Sequence, residues 1–310
     1  MKILLLGANG QLGRTFVEQG GLAVRGELVV ASRDGTLTQG GGHGEIADLS
    51  TPESLPILLD RVKPAVIVNT AAYTGVDRAE QEEALATRVN AEAVGVLGQW
   101  AAARGALVIH YSTDYVFNGL QAKPYAVDAP TGPLGAYGRS KLAGELALRG
   151  SGAGHLIFRT AWVYAAHGHN FLRTILRLGA ERDELRVVDD QHGAPTHTML
   201  IVEATLAALD QWTPADATQR HILDGTYHLV ASGATTWHGF ASAIFKEAVE
   251  LGLLAHPPHV VAVSSSEFQS QAVRPTSSLL DNTSFRQHFN FRLPDWQLGL
   301  HDVMRRLATT

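Results

Sequence analysis

The 310-residue chain contains no cysteine. That excludes disulfides, thiolate metal sites and a cysteine nucleophile, and it is compatible with a reducing compartment. Long apolar runs are also missing. None approaches the roughly 18 to 20 residues that a membrane span requires. The first run, residues 3–6, meets Gly7 at once and has no small-residue cleavage site behind it, so it is expected to be a strand rather than a secretory signal. A cytoplasmic protein without a membrane partner is expected. Positive charge is scarce as well: 25 lysines and arginines face 30 acidic residues, for a net charge of −5. The signs are interspersed and no basic stripe stands out, so nucleic acid is not expected as a partner. The tight histidine pairs, His167 with His169 and His256 with His259, lack helical i, i+4 placement and a nearby third ligand. No metal is expected at either.

What the chain has is apolar residues, 45% of the total, in short runs. Residues 2–6, 27–31, 65–70, 106–112 and 155–161 are rich in Val, Ile and Leu and do not alternate with polar residues. Strands read this way when both faces of a parallel sheet are covered. Helical patterns lie between them. Leu85, Val89, Ala93 and Leu97 recur at helical spacing until Gly105 ends the run. Alternating strand and helix places the chain in the α/β class, as a Rossmann-like doubly wound parallel sheet with a smaller C-terminal α/β substrate-binding domain. The second half is less regular. It offers helix-like stretches at 199–209 and 237–251, a strand-like YHLVA at 227–231 and a Pro/Ser-rich part at 256–278. The expected division is 1–165 for nucleotide binding and 166–310 mainly for substrate, with room for segments that return to the first domain.

KILLLGANGQLGRTF puts Gly7, Gly10 and Gly13 directly after a strand and at a helix start. Glycine permits the tight turn, lets the backbone approach a pyrophosphate and packs the helix close to the sheet. The helix N-terminus then offers N–H groups and a positive dipole end. Dinucleotide binding follows from this context. The second strand ends in Ser32, Arg33 and Asp34. An acid there grips a ribose 2′-OH, whereas an arginine accommodates a 2′-phosphate. Arg33 comes first, which favours NADPH, with NADH usable. Asp48 and Leu49 are candidates for the adenine pocket; a helix N-cap region suits Asp48 equally well.

Only five lysines occur, and Lys141 stands four residues after Tyr137 in GAYGRSKLAGELAL. Residues at i and i+4 share a helix face, and composition alone yields about 0.1 such tyrosine–lysine pairs. The chemistry is coherent. A ketone reduced at carbon needs a proton at oxygen, and a free phenol with pKa about 10 holds its proton firmly. An ammonium about 4 Å away stabilises the phenolate by up to about 4 kcal/mol before desolvation opposes it. Gly144 falls on the same face, which suggests close approach of a ligand. Ser112 and Thr113 close a strand at the carboxyl end of the sheet and offer a further polar group for the substrate oxygen.

Together GANGQLG, VNTAAYTGVD, HYSTDYVFNG, YGRSKLAGE, FRTAWVY and DDQHGAPT resemble the dTDP-4-dehydrorhamnose reductase family, a branch of the extended short-chain dehydrogenase/reductases. The resemblance runs along nearly the whole chain. It implies reduction of dTDP-4-dehydro-β-L-rhamnose to dTDP-β-L-rhamnose by NAD(P)H. By motif position it makes Tyr137 the proton donor and Lys141 the group that lowers its pKa and binds the cofactor ribose. Thr113 would hydrogen-bond the 4-keto oxygen, with Asp114 beside it. Gly10, Gln11 and Leu12 would lie along the pyrophosphate, and Ala71, Ala72 and Tyr73 along the cofactor. Trp162 would pack against the sugar, and Gln191 and Arg274 would help hold the nucleotide diphosphate. Asn90 reads as a structural bridge to the active-site strand. Some family members are described with Mg²⁺ at a subunit contact, held in part by the first helix. Here that stretch reads Arg14, Thr15, Phe16, Val17, with Glu18 a turn away, so neither the metal nor that contact is expected. Monomer and homodimer both stay open. The rivals are a dehydratase, disfavoured because Tyr115 rather than Glu follows Asp114, another nucleotide-sugar 4-ketoreductase, a 4-epimerase, and a non-catalytic NADP-binding regulatory subunit.

Overall fold

The computed structural model describes residues 1–38, 42–267 and 271–309. Strand β1 (Lys2–Leu6) leads into α1 (Gln11–Gln19), α2 (Gly21–Arg25) and β2 (Glu27–Ser32). A short β3 (Glu45–Ile46), α3 (Leu55–Val62) and β4 (Val66–Asn69) follow. Then come α4 (Val76–Ala79), α5 (Glu83–Thr87), a π-helical turn (Arg88–Glu92), α6 (Ala93–Ala102), β5 (Leu107–Thr113), α7 (Ala136–Gly150) and β6 (Gly154–Thr160). The second half contains β7 (Val163–Tyr164), α8 (Phe171–Glu181), β8 (Glu184–Val188), β9 (His192–Gly193), β10 (Thr196–His197) and α9 (Thr198–Trp212). It continues through α10 (Ala217–Leu223), β11 (Gly225–His228), β12 (Thr235–Thr236), α11 (Trp237–Glu250), β13 (His259–Val263), α12 (Thr283–Phe289) and α13 (Trp296–Ala308).

Seven strands form one sheet in the order β11, β6, β5, β4, β1, β2, β3, and every pairing in it is parallel. The unbroken apolar strands are explained by two covered faces. Ile3 and Leu5 pack with Phe16 of α1 and with Ile201 and Leu209 of α9. Leu4 and Leu6 pack with Leu58 of α3 and with Val94 and Leu97 of α6. Truncating such a side chain to alanine costs about 2–5 kcal/mol. The chain leaves β1 toward β2 and β3, then crosses back to β4. That reversal opens a crevice at the carboxyl ends of β1 and β4, where doubly wound sheets bind ligands.

Part of the chain after residue 165 returns to this sheet. Helix α9 packs on α1, and β11 extends the sheet beside β6. The rest is smaller: β8 pairs in parallel with β13, and α8 and α11 pack together beside them. Among the described residues no helix is long and apolar enough to cross a membrane.

One helix departs from its expected phase. Leu85 is 40% exposed, whereas Ala86 is fully buried. The π-helical turn that follows α5 inserts an extra residue into the repeat, so α5 and α6 do not share one face. Gly144 explains why the turn is tolerated. A Cβ there would lie 2.0 Å from the Asn90 carbonyl oxygen. The close approach expected of a ligand at Gly144 is instead that of the π-turn backbone.

Candidate active site

Gly7 has φ +82°, and a Cβ on it would stand 2.7 Å from the Ala71 amide nitrogen. A Cβ on Gly13 would stand 2.1 Å from the Gly7 carbonyl oxygen. The two glycines thus press the end of β1, the start of α1 and the segment after β4 against one another. Helix α1 begins behind Gly10 with no side-chain cap and no acidic residue in its first turn. Its leading N–H groups and dipole face the crevice, as a pyrophosphate requires. Gln11 is steadied by Asn170, whose Nδ2 donates to Oε1 at 2.8 Å. Leu12 packs against the core.

At the end of β2 the acidic residue is occupied by its own turn. Asp34 accepts from the Thr36 amide at 3.0 Å, which lowers its pKa. Buried Ser32 donates to the Thr36 carbonyl at 2.8 Å. Arg33 between them is exposed. Asp48 accepts from the amide and hydroxyl of Ser50 at 2.9 and 2.7 Å, closing a turn. Leu49 is buried in the core on the α3 side. Ala71, Ala72 and Tyr73 are half-buried at the carboxyl end of β4. Tyr73 is fixed twice: its amide donates to Asn90 Oδ1 at 2.9 Å and its hydroxyl to Glu82 at 2.6 Å. Asn90 also donates to the Tyr73 carbonyl at 3.0 Å and to Ser140 at 2.9 Å. It joins the segment after β4 to α7, rather than to the active-site strand that the bridge reading names.

Thr113 ends β5, and its hydroxyl donates to Asp114 Oδ1 at 2.8 Å. The Tyr137 ring lies edge-on to Tyr115, centroids 5.5 Å apart. Burial raises the Tyr137 pKa and the Asp114 charge raises it further, with Thr113 acting the other way. Burial also pushes Asp114 up to about 6, although the hydroxyls of Ser278 and Thr113 oppose it. Ser112, the other candidate on this strand, has its hydroxyl buried without a hydrogen-bond partner.

Lys141 is where expectation and structure part. Its Nζ donates to the Tyr111 carbonyl at 2.6 Å and lies 3.4 Å from His110 Nε2. Burial brings its pKa down to about 8, with Glu145 acting in the opposite direction. The acidification of Tyr137 by Lys141 is therefore not seen: the amino group is turned toward β5, and the phenol pKa rises. The face that carries both residues is held by a buried pair. Arg159 Nε and Nη2 reach the two Glu145 carboxylate oxygens at 2.9 and 2.7 Å.

Trp162 follows β6 at φ +49°, a backbone conformation that strains a bulky residue by about 1–3 kcal/mol. It is held by Trp237, whose ring stacks on it at 3.5 Å and 6°. Gln191 is buried, accepting from Trp237 Nε1 at 3.2 Å and donating to Ser265 at 2.9 Å. Arg274 reaches Asp77 at 2.8 Å and Tyr115 at 3.4 Å, so the structure brings it next to Thr113–Tyr115. Glu18 is engaged by Arg14 and Arg306, each at 2.7 Å. Burial would raise its pKa, but the two guanidiniums outweigh that and lower it. Among the described residues no group of three or more His, Asp or Glu is arranged to hold a metal.

The family model described as the RmlD substrate binding domain matches residues 1–309. A dTDP-4-dehydrorhamnose reductase of Burkholderia thailandensis is 43% identical over 311 residues, covering all of both chains. The chain belongs to the dTDP-4-dehydrorhamnose reductase family. Solved structures of similar proteins agree. A dTDP-4-dehydrorhamnose reductase from Clostridium acetobutylicum superposes with a TM-score of 0.86 at 31% identity over 99% of each chain. One from Bacillus anthracis, solved in complex with NADP, gives 0.83 at 30% identity over 98% of this chain and 99% of that one.

For this family member the sequence motifs located the crevice but missed two residues that hold it. His110 lies beside Lys141 from within HYSTDYVF, where nothing local distinguishes it from its strand neighbours. Trp237 supports Trp162 from 75 residues farther along the chain, beyond the reach of local pattern. The only signal in sequence was TTWHGF, a Thr-capped helix start that carries an aromatic residue.

Proposed function

We propose that the protein reduces the 4-keto group of dTDP-4-dehydro-β-L-rhamnose, giving dTDP-β-L-rhamnose, with NADPH as the preferred reductant and NADH usable. The observation that carries this reading is Tyr137 in the first turn of α7, its ring edge-on to Tyr115 two residues past Thr113 at the carboxyl end of β5, in a chain similar to reductases over its full length. Gly7, Gly10, Gln11, Leu12 and Gly13 cradle the pyrophosphate, with Gly7 and Gly13 packing the loop and helix tightly enough to bring the backbone to it. Ser32 and exposed Arg33 take the 2′-phosphate end, and Asp48 and Leu49 border the adenine side. Ala71, Ala72 and Tyr73 line the path toward the nicotinamide. Bound there, NADPH supplies the electron pair and hydrogen that the 4-carbon takes up.

The protein's own residues handle the oxygen. Tyr137 stays protonated because burial and the Asp114 charge raise its pKa, so a proton is ready for the 4-oxygen as negative charge develops. Thr113 turns its hydroxyl from Asp114 to that oxygen and orients it. Lys141, held on the Tyr111 carbonyl, presents the amine that binds the cofactor ribose. Trp162 packs against the sugar, and Gln191 and Arg274 hold the nucleotide diphosphate. Arginine suits that role through its planar fork of donors.

The test supplies dTDP-4-dehydro-L-rhamnose made in situ and follows NADPH absorbance. NADPH loss that tracks the sugar one for one is expected. Full turnover of the sugar without NADPH loss points to epimerisation and contradicts the proposal.

A further inference from the structure

Three buried side chains form a row beneath the crevice. Asn69, His110 and Lys141 are 1%, 0% and 2% exposed. Asn69 and His110 are register partners on β4 and β5, and Lys141 reaches them from α7. The row starts at the Ala71 amide, which lies 3.2 Å from Asn69 Oδ1. Asn69 Nδ2 lies 3.2 Å from His110 Nδ1. His110 Nε2 lies 3.4 Å from Lys141 Nζ, which donates to the Tyr111 carbonyl at 2.6 Å.

The direction of each bond follows from elementary chemistry. A backbone N–H only donates, so the Asn69 oxygen faces Ala71 and the Asn69 NH₂ faces the imidazole. An NH₂ group donates, so His110 Nδ1 is the acceptor and carries no proton. A neutral imidazole then has its proton on Nε2. That proton points at Lys141. An ammonium there sets donor against donor, whereas a neutral amine offers a lone pair.

We propose that His110 is a positioning residue whose Nε2–H donates to the Lys141 amine, completing an oriented chain from the Ala71 amide to the Tyr111 carbonyl. The chain ties the protonation of Lys141 to the backbone at Ala71, the segment we assign to the cofactor. Protonating Lys141 requires His110 to present a lone pair, which requires Asn69 to turn its oxygen to His110 and release Ala71. The chain therefore favours the amine over the ammonium and opposes the protonation of Lys141, whose pKa burial has already brought down to about 8. Burial lowers the pKa of both His110 and Lys141, and a charge on Lys141 opposes protonation of the imidazole. The other groups around the row are Tyr137 and Glu145 on α7 and Arg159 on β6, with Arg159 and Glu145 neutralising each other as a bidentate pair.

The inference rests on the reductase reading for its purpose, but its test does not depend on activity. Long-range proton–nitrogen NMR of the full chain at pH 9, above the Lys141 pKa of about 8, reads the His110 tautomer, which we expect to be Nε2–H with Nδ1 bare. Carbon-13 lysine labelling resolves the five lysines and follows Lys141 through its titration. Asn69→Asp removes the donor to Nδ1, and His110→Gln offers a carbonyl to the ammonium. Each is expected to move the Lys141 midpoint up by about one pH unit, a tenfold change in proton affinity. A wild-type His110 protonated on Nδ1, or on both nitrogens, overturns the proposal. So does an unmoved Lys141 titration in the folded variants. If both variants fail to fold, the wild-type tautomer alone decides.

Discussion

The hydroxyl of Thr113 donates to the carboxylate of Asp114 at 2.8 Å, with both residues buried. The threonine we assign to the substrate oxygen is thus bound to a carboxylate whose pKa burial lifts from 3.8 to about 6. Near pH 4 and below, folded and unfolded chains both carry that proton. Between about pH 4 and 6 only the folded chain keeps it, and above pH 6 neither does. This group's contribution to stability therefore falls as pH rises through the window, by up to about 3 kcal/mol. Asp114→Asn removes the dependence while keeping an acceptor for Thr113. The variant is expected to be more stable than wild type above pH 6, with the gap closing toward pH 4. Urea unfolding of both proteins across pH 4–8 measures it; a gap that is constant with pH contradicts the assignment.

The Arg159–Glu145 pair predicts a different pattern. Removing one partner strands a buried charge and costs about 3–5 kcal/mol. Arg159→Met and Glu145→Gln are each expected to lower the denaturant midpoint strongly, and the double variant to recover much of the loss. A double variant as unstable as the sum of the singles refutes a charge-based role for the pair.

Much of the fold was legible because burial on both sheet faces left apolar strands that the sequence displays directly. Residues 2–6 are β1 itself, and the glycine loop sits where GANGQLG places it. The π-turn was illegible: Leu85, Val89, Ala93 and Leu97 recur every four residues as in one continuous helix, while the Gly144 that admits the turn's backbone lies on another helix. Gly144 was misread for the same reason, since its close neighbour is backbone 54 residues earlier. The Tyr137–Lys141 pairing was visible as i, i+4 spacing. Where the lysine points was not, because the Tyr111 carbonyl that takes its hydrogen bond comes from another element. Nor did local pattern reveal the Trp162–Trp237 stack, which joins the segment after β6 to the start of α11.

Arg33 should govern cofactor choice. Arg33→Ala is expected to raise KM for NADPH about tenfold or more, consistent with loss of a charge-assisted contact worth about 1.5–3 kcal/mol, and to change KM for NADH little. Initial rates with each coenzyme test this. An equal effect on both coenzymes assigns Arg33 no part in discriminating the 2′-phosphate.

Trp237 should act through Trp162. Trp237→Leu removes a stacked ring pair worth about 0.5–1.5 kcal/mol beyond its buried area and lets the strained Trp162 backbone relax. KM for the sugar nucleotide is expected to rise several-fold while KM for NADPH stays near wild type. Steady-state kinetics with each substrate varied in turn separates the two, and an unchanged sugar KM counts against Trp162 as a sugar contact.

The central claim is that the Tyr137 phenol delivers the proton. Single-turnover NADPH oxidation, with enzyme in excess over dTDP-4-dehydro-L-rhamnose, compares wild type with Tyr137→Phe. We expect a rate lower by about 10²-fold or more, with NADPH affinity and the unfolding midpoint retained. A Tyr137→Phe enzyme that turns over at the wild-type rate contradicts the account.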